Sequence, residues 1–349
     1  MNAIRDFLDG VHLGPRQAYK QLTLWPLVGR SRRDSGVLYM SLSDALEQGS
    51  LRVDEVSEGG SVPHVRVRNE GDEAVLVLFG EELRGAKQNR IANASFLVGD
   101  RSDVVIDVSC VEQGRWGGRS SWGAGRARFD TSHSLISSSV RRKMARKVAA
   151  ARDAGRGFDA DQAEVWGEVE RRIETSRAIS PTRAYADYLG SRASDLEEVR
   201  RAFQPVDEQL GFVAMIGDAV VGIEAIGRRE VFASCFERLV DGYAIDAIDH
   251  ASMRESLGDA AFATRFREPE PFLEALRSAP ARAAPSLGLG QDLRIDGPEV
   301  EGCALEAGEL IHLSAYPRLT PDRGRERDED SPRDEFGRVL ERLRARRRR

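Results

Sequence analysis

Lysine is almost missing from this 349-residue chain, which holds four (Lys20, Lys87, Lys143 and Lys147) against 48 arginines. Cysteine is scarce too. Cys110, Cys235 and Cys303 are an odd, widely spaced set without C-x-x-C, which disfavours a disulfide scaffold and a cysteine zinc site. The five histidines are scattered, with no H-x-x-x-H or H-E-x-x-H pair, so no structural metal is expected. Long apolar runs are also absent. Residues 74–79 are too few to span a bilayer, and 211–226 are interrupted by Asp218 and Glu224. The first twenty residues lack the apolar core of a signal peptide. A soluble, cytoplasmic protein without a membrane partner is the expectation. The net charge of -5 excludes a generally basic nucleic-acid binder, and 41% apolar residues exclude a wholly disordered chain.

What is present reads as α+β. Residues 1–113 carry short β-prone runs at 22–28, 37–40, 51–56, 64–68, 74–79, 95–98 and 104–108, with a brief helix at 44–48. Such spacing favours an antiparallel β-sandwich or barrel-like region. Residues 114–139 are rich in glycine and serine without a sustained period, as in a long loop. Residues 140–204 read as three helices, at 140–152, 161–177 and from Ser180-Pro181 to Phe203. In 211–318, a hairpin turns at Gly217-Asp218, helices follow at 230–250 and 271–277, and three strands form a meander (292–295, 302–306, 310–315). That is an antiparallel sheet with helices. In 319–349, positions 321–335 hold no Ala, Val, Ile, Leu, Met, Phe, Trp, Tyr or Cys, which predicts a disordered charged tail, and the Arg-rich end could form a short basic helix.

Two clusters carry most of the chemistry. In G-E-E-L-R-G-A-K-Q-N-R (80–90), Gly85 allows close backbone approach. Lys87 and Arg90 could clamp phosphate, and Gln88 and Asn89 could orient a base or sugar. Glu81 and Glu82 supply carboxylates for acid/base work or for a divalent ion. A polar loop at the end of a buried strand is the plain alternative. In S-C-V-E-Q-G-R-W (109–116), Cys110 and Glu112 share a strand face, and Gln113, Arg115 and Trp116 lead into the loop. Trp116 beside Arg115 could stack on a base. Cys110 is a candidate nucleophile or, with no histidine near in sequence, a small buried hydrophobe.

Charge is uneven as well. Residues 111–152 hold ten Arg or Lys against Glu112 and Asp130, a local +8. Arg141, Arg142, Lys143, Arg146 and Lys147 fall on one helix, facing either a phosphate-bearing partner such as RNA or acids elsewhere in the fold.

The two clusters together resemble the ARPP domain, the ADP-ribosylglycohydrolase- and rhodanese-phosphatase-associated protein domain. The likeness extends through S-E-G-G-S-V-P (57–63), V-W-G-E-V (165–169), I-G-D-A-V-V-G (216–222), Y-A-I-D-A (243–247), G-L-G-Q-D (288–292) and H-L-S-A-Y-P (312–317). The resemblance implies a role near nucleotide or ADP-ribose metabolism and assigns no residue a chemical role. The leading expectation is a pocket for a phosphorylated nucleotide or ADP-ribose-like ligand, with hydrolysis served by Glu82 or Glu112. A non-catalytic sensor or partner-binding module is the alternative, and an RNA-associated protein the second.

Overall fold

The computed structural model describes residues 3–30, 36–57, 60–115, 129–250 and 264–319. Its largest element is a nine-stranded antiparallel sheet. The centre is the expected hairpin, β13 (Gln209–Ile216) and β14 (Ala219–Ile226), turned at Gly217 with φ +62°. Every residue of β13 is buried, because both faces of the strand are covered. Phe212, Ala214 and Ile216 join one apolar core, while Val213 and Met215 join the other. The first core includes Phe232, Phe236 and Tyr243 of α7 (Arg229–Ile248). The second includes Ile4 and Leu8 of α1 (Ala3–Asp9) and Phe272 and Leu276 of α8 (Pro269–Ser278).

The meander forms as β16 (Gln291–Asp296), β17 (Val300–Glu306) and β18 (Leu310–Pro317), and β18 pairs with β14. An edge strand, β15 (Ala281–Pro285), precedes it; three of its five residues are exposed, so no alternation announces it. The other flank is built from the chain's beginning. β3 (Leu22–Gly29) pairs with β13, and β1 (Val11–Leu13) and β2 (Gln17–Tyr19) pair with β3. The regions read as 1–113 and 211–318 therefore share one sheet.

The remaining β structure is smaller. β4 (Tyr39–Ser41), β7 (Ala74–Val77) and β10 (Phe96–Val98) form a three-stranded sheet with a parallel β4–β7 pair. Helix α2 (Leu42–Glu47) follows β4 and is capped by Ser41, whose side chain accepts the Asp44 N–H. A six-stranded sheet runs β12 (Phe129–Leu135), β8 (Glu81–Gly85), β9 (Arg90–Ala92), β11 (Asp103–Cys110), β6 (His64–Asn69), β5 (Leu51–Glu55). In it, β5, β6 and β11 match the sequence reading closely. The pair β8 and β9 shows that the first cluster is a hairpin, not a loop.

Two loop and helix expectations change. Of the stretch read as a loop, residues 116–128, with Trp116, lie outside the described residues, and 129–135 form β12 (Phe129–Leu135). β12 runs antiparallel to β8, whose free edge organises a segment with little apolar signal of its own. The basic helix α3 (Ser138–Asp153) and α4 (Gln162–Ser176) stand near their expected places. The third helix is two, α5 (Tyr185–Ser191) and α6 (Ala193–Ala202). It does not start at Ser180-Pro181, because that segment is tied sideways: Gly114 N–H donates to the Thr182 carbonyl at 2.8 Å. The charged tail from 320 onward lies outside the described residues. Among the described residues no helix is long and apolar enough to cross a membrane.

Candidate functional site

The two motif clusters meet as a clasp. At the β8–β9 turn, Gly85 (φ +124°) and Ala86 (φ +41°) adopt positive φ, which leaves their carbonyls pointing away from the ladder. Arg115 takes them. Its Nη1 donates to the Ala86 carbonyl at 2.8 Å, and its Nη2 donates to the Gly85 carbonyl at 3.2 Å and Asn89 Oδ1 at 3.1 Å. Glu112 holds Arg115 in place, accepting from Nε at 2.8 Å and lying 2.7 Å from Nη2. The same carboxylate accepts the Asn89 N–H at 3.1 Å and the Thr182 hydroxyl at 2.9 Å. Gln88 Nε2 donates to the Glu112 carbonyl at 2.9 Å, and Gln88 Oε1 accepts from Arg90, whose Nε reaches the Val62 carbonyl.

This geometry sets the protonation states. Burial works to raise the Glu112 pKa, but the hydrogen bonds from Arg115, Asn89 and Thr182 outweigh it and hold the carboxyl below its ordinary value. A carboxylate so held is a weak base. The Cys110 thiol is buried, and burial pushes its pKa up despite Arg90 nearby. Cys110 Sγ donates to the Glu112 carbonyl, while Gln162 of α4 bonds both the N–H and the carbonyl of Cys110. A protonated, enclosed thiol lacks the thiolate character of a nucleophile.

Not every candidate joins the clasp. Glu81 and Glu82 are fully buried on opposite faces of β8. Glu81 accepts the Leu78 N–H at 2.9 Å and lies 3.9 Å from Arg238 of α7, and burial raises its pKa. Glu82 accepts from Arg84 Nε at 3.2 Å. Lys87 lies at the turn, its N–H donating to Glu55 at 3.3 Å. Gln113 is exposed and accepts from Arg183 at 3.2 Å. Among the described residues no group of three or more His, Cys, Asp or Glu side chains is placed to hold a metal ion.

The basic helix is mostly neutralised from within. Lys143 pairs with Glu168, Lys147 with Asp161 at 3.1 Å and Glu164 at 3.0 Å, and Arg141 with Glu224. Of the five cations read as one basic face, Arg142 and Arg146 alone have no ion pair among the described residues.

Sequence reasoning missed two buried hubs. Glu224 accepts from Arg141, from Tyr243 at 3.0 Å and from Ser314 at 2.9 Å, and lies 3.2 Å from His312 Nε2. His312 Nδ1 lies 2.7 Å from Ser95 Oγ, which itself accepts the Phe79 N–H. Burial works to raise the Glu224 pKa, and Arg141, His312 and Ser314 bring it below the ordinary value. The order Ser95–His312–Glu224 resembles a hydrolase relay, yet His312 and Glu224 have no exposed surface and Ser95 is also buried. The second hub is Asp246, which accepts from Ser138 Oγ at 2.7 Å, Ser139 N–H at 2.8 Å, Ser139 Oγ at 2.9 Å and Arg172. It caps the start of α3 from α7. The signal for both lay in fragments with no apparent link, I-A-N-A-S, Y-A-I-D-A and H-L-S-A-Y-P, which supply Ser95, Tyr243, Asp246, His312 and Ser314.

The fold and clasp define an α+β protein whose sheets are joined by buried ionic hubs. The family model of the ARG and Rhodanese-Phosphatase-superfamily-associated Protein domain (ARPP-1) matches residues 10–316, and the chain belongs to that family. No curated protein and no solved structure matches it.

Proposed function

We propose that this chain is a binding module for a phosphorylated nucleotide or ADP-ribose-like ligand and does not itself turn that ligand over. The observation that carries the reading is the closure of the clasp. The Glu112 carboxylate is occupied by three residues' donors, and the Cys110 thiol is sealed. Neither group can exchange a proton with a ligand without unmaking the turn. Arg115 is equally committed to its carbonyls and is not available as a phosphate clamp.

Recognition then falls to the rim, where Arg84, Lys87 and Arg183 supply positive charge and Gln113 an exposed amide. Arg84 is paired with Glu82 and Arg183 with Glu170, but their side chains are 42% and 56% exposed, so a phosphate can compete with those carboxylates for both. The ligand class follows the family's association with ADP-ribosyl hydrolases and phosphatases. The test pairs calorimetry with chromatography, using ADP-ribose as the probe. Saturable binding, weakened tenfold or more by Lys87→Ala and Arg84→Ala, with the probe recovered intact, is the expected result. Recovery of a cleaved product overturns the module reading, and absence of saturation overturns the ligand class.

A further inference from the structure

At one end of the nine-stranded sheet lies a cavity of about 270 Å³ that belongs to neither the clasp nor the buried hubs. Helix α1 contributes one wall through Asp6 and Phe7. The strand ends contribute the rest, with Arg30 just after β3 and Glu306 and Glu309 at the β17–β18 turn. Its lining has both charge signs over an apolar floor that includes Phe7 and Leu310.

Two of its acids stand out chemically. Among the described residues Asp6 and Glu306 have neither a hydrogen bond nor an ion pair on their carboxylates, and Arg30 has none on its guanidinium. This contrasts with the clasp, where every charge is matched. Two unpaired carboxylates and one unpaired guanidinium, all in contact with solvent, are complementary to an occupant with two positive groups and one negative group. A bare metal ion does not fit, since no group of three or more acidic, histidine or cysteine side chains among the described residues could hold one. Nor does a purely cationic chain, because Arg30 at the rim would oppose it. The volume is below that of pockets for drug-sized ligands, roughly 300–1,000 Å³.

We infer that this cavity binds a small basic zwitterion, a free molecule with two ammonium groups and one carboxylate. Asp6 and Glu306 take the ammonium groups, and Arg30 takes the carboxylate. Apolar floor atoms such as those of Phe7 and Leu310 cover the aliphatic stem between the charges.

The test is calorimetry on the full chain with three probes: L-lysine, its decarboxylated analogue cadaverine, and L-norleucine, which lacks the side-chain ammonium. L-lysine is expected to bind saturably and more tightly than either of the others. Asp6→Asn and Glu306→Gln should each weaken L-lysine and cadaverine tenfold or more. Arg30→Gln should weaken L-lysine by a similar factor and strengthen cadaverine, which has no carboxylate for Arg30 to hold and is opposed by its charge. These residues are at least partly exposed, so a circular-dichroism melt matching the parent chain separates lost binding from lost folding. No saturable binding of L-lysine, or binding indifferent to Asp6→Asn and Glu306→Gln, overturns the inference. Equal affinity for L-lysine and cadaverine overturns the role of Arg30. ADP-ribose binding at the clasp rim should be the same in all three variants, so this site and the proposed one fail independently.

Discussion

Replacing Glu112 by Gln is the sharpest perturbation of the clasp, because it preserves shape while removing charge. The carboxylate accepts from the Arg115 guanidinium, the Asn89 N–H and the Thr182 hydroxyl. A carboxamide keeps one acceptor oxygen and turns its NH2 group toward donors. Breaking a buried pair by removing one charge costs about 3–5 kcal/mol. The Arg115 side chain is 16% exposed and that of Glu112 7%, so solvent screening brings the expected loss to about 2–4 kcal/mol. With a urea m-value of about 3 kcal/mol/M, the unfolding midpoint should fall by about 1 M. Arg115→Met should cost a similar amount, since it strands the carbonyls of Gly85 and Ala86. The double variant should lose about 2 kcal/mol less than the sum, because both changes remove one interaction.

The acid limb provides a second reading of the same residue. Because the folded pKa of Glu112 is depressed, its stabilisation is complete above the unfolded value near 4.5 and is lost as pH falls through the folded value. Glu112→Gln should therefore flatten stability against pH below about 4.5. A midpoint shift under about 0.3 M together with strict additivity would refute the clasp as a structural device. Catalytic loss at unchanged stability would return Glu112 to the role of acid or base.

Other consequences are as concrete. Glu168 is held down at about 2, where burial would raise it but Lys143 and Arg171 outweigh that. Its stabilisation should be complete above about 4.5 and disappear between there and about 2, and Glu168→Gln should remove that slope from acid titrations followed by fluorescence. Gly80→Ala combines φ +80° with a Cβ only 2.5 Å from Arg141 Cδ, and should cost about 2–5 kcal/mol in urea melts. Gly167→Ala, where a Cβ meets nothing within 4 Å, should instead stabilise by about 0.5–1 kcal/mol. Because Arg141, Lys143 and Lys147 are paired within the fold, a mobility-shift assay at physiological salt should show no RNA complex tighter than non-specific affinities of about 10⁻⁴–10⁻⁶ M. A tight complex lost on Arg142→Ala with Arg146→Ala would restore the nucleic-acid reading.

Much of the fold was legible where periodicity and turn chemistry act locally. The β13–β14 hairpin, the meander strands and α7 follow from apolar runs bounded by glycine, aspartate and proline. β12 and β8 were not, because their residues are polar and acquire strand geometry by pairing with each other. The placement of β3 beside β13, nearly two hundred residues away, has no local signature at all.

The candidate site divides the same way. The residue types in 80–90 and 109–116 mark the clasp before any coordinates, since so many polar groups beside a buried strand require partners. Whether those partners are a ligand or one another is not written in their spacing. The sequence by itself determined the α+β class and the family. Tertiary structure alone decided that Arg115 and Glu112 satisfy the hairpin turn, that the basic helix faces its own acids, and that Ser95, Glu224 and His312 converge in the core. The physical reason is that charge and hydrogen-bonding capacity are properties of residues, whereas their satisfaction depends on distances that only the folded chain sets.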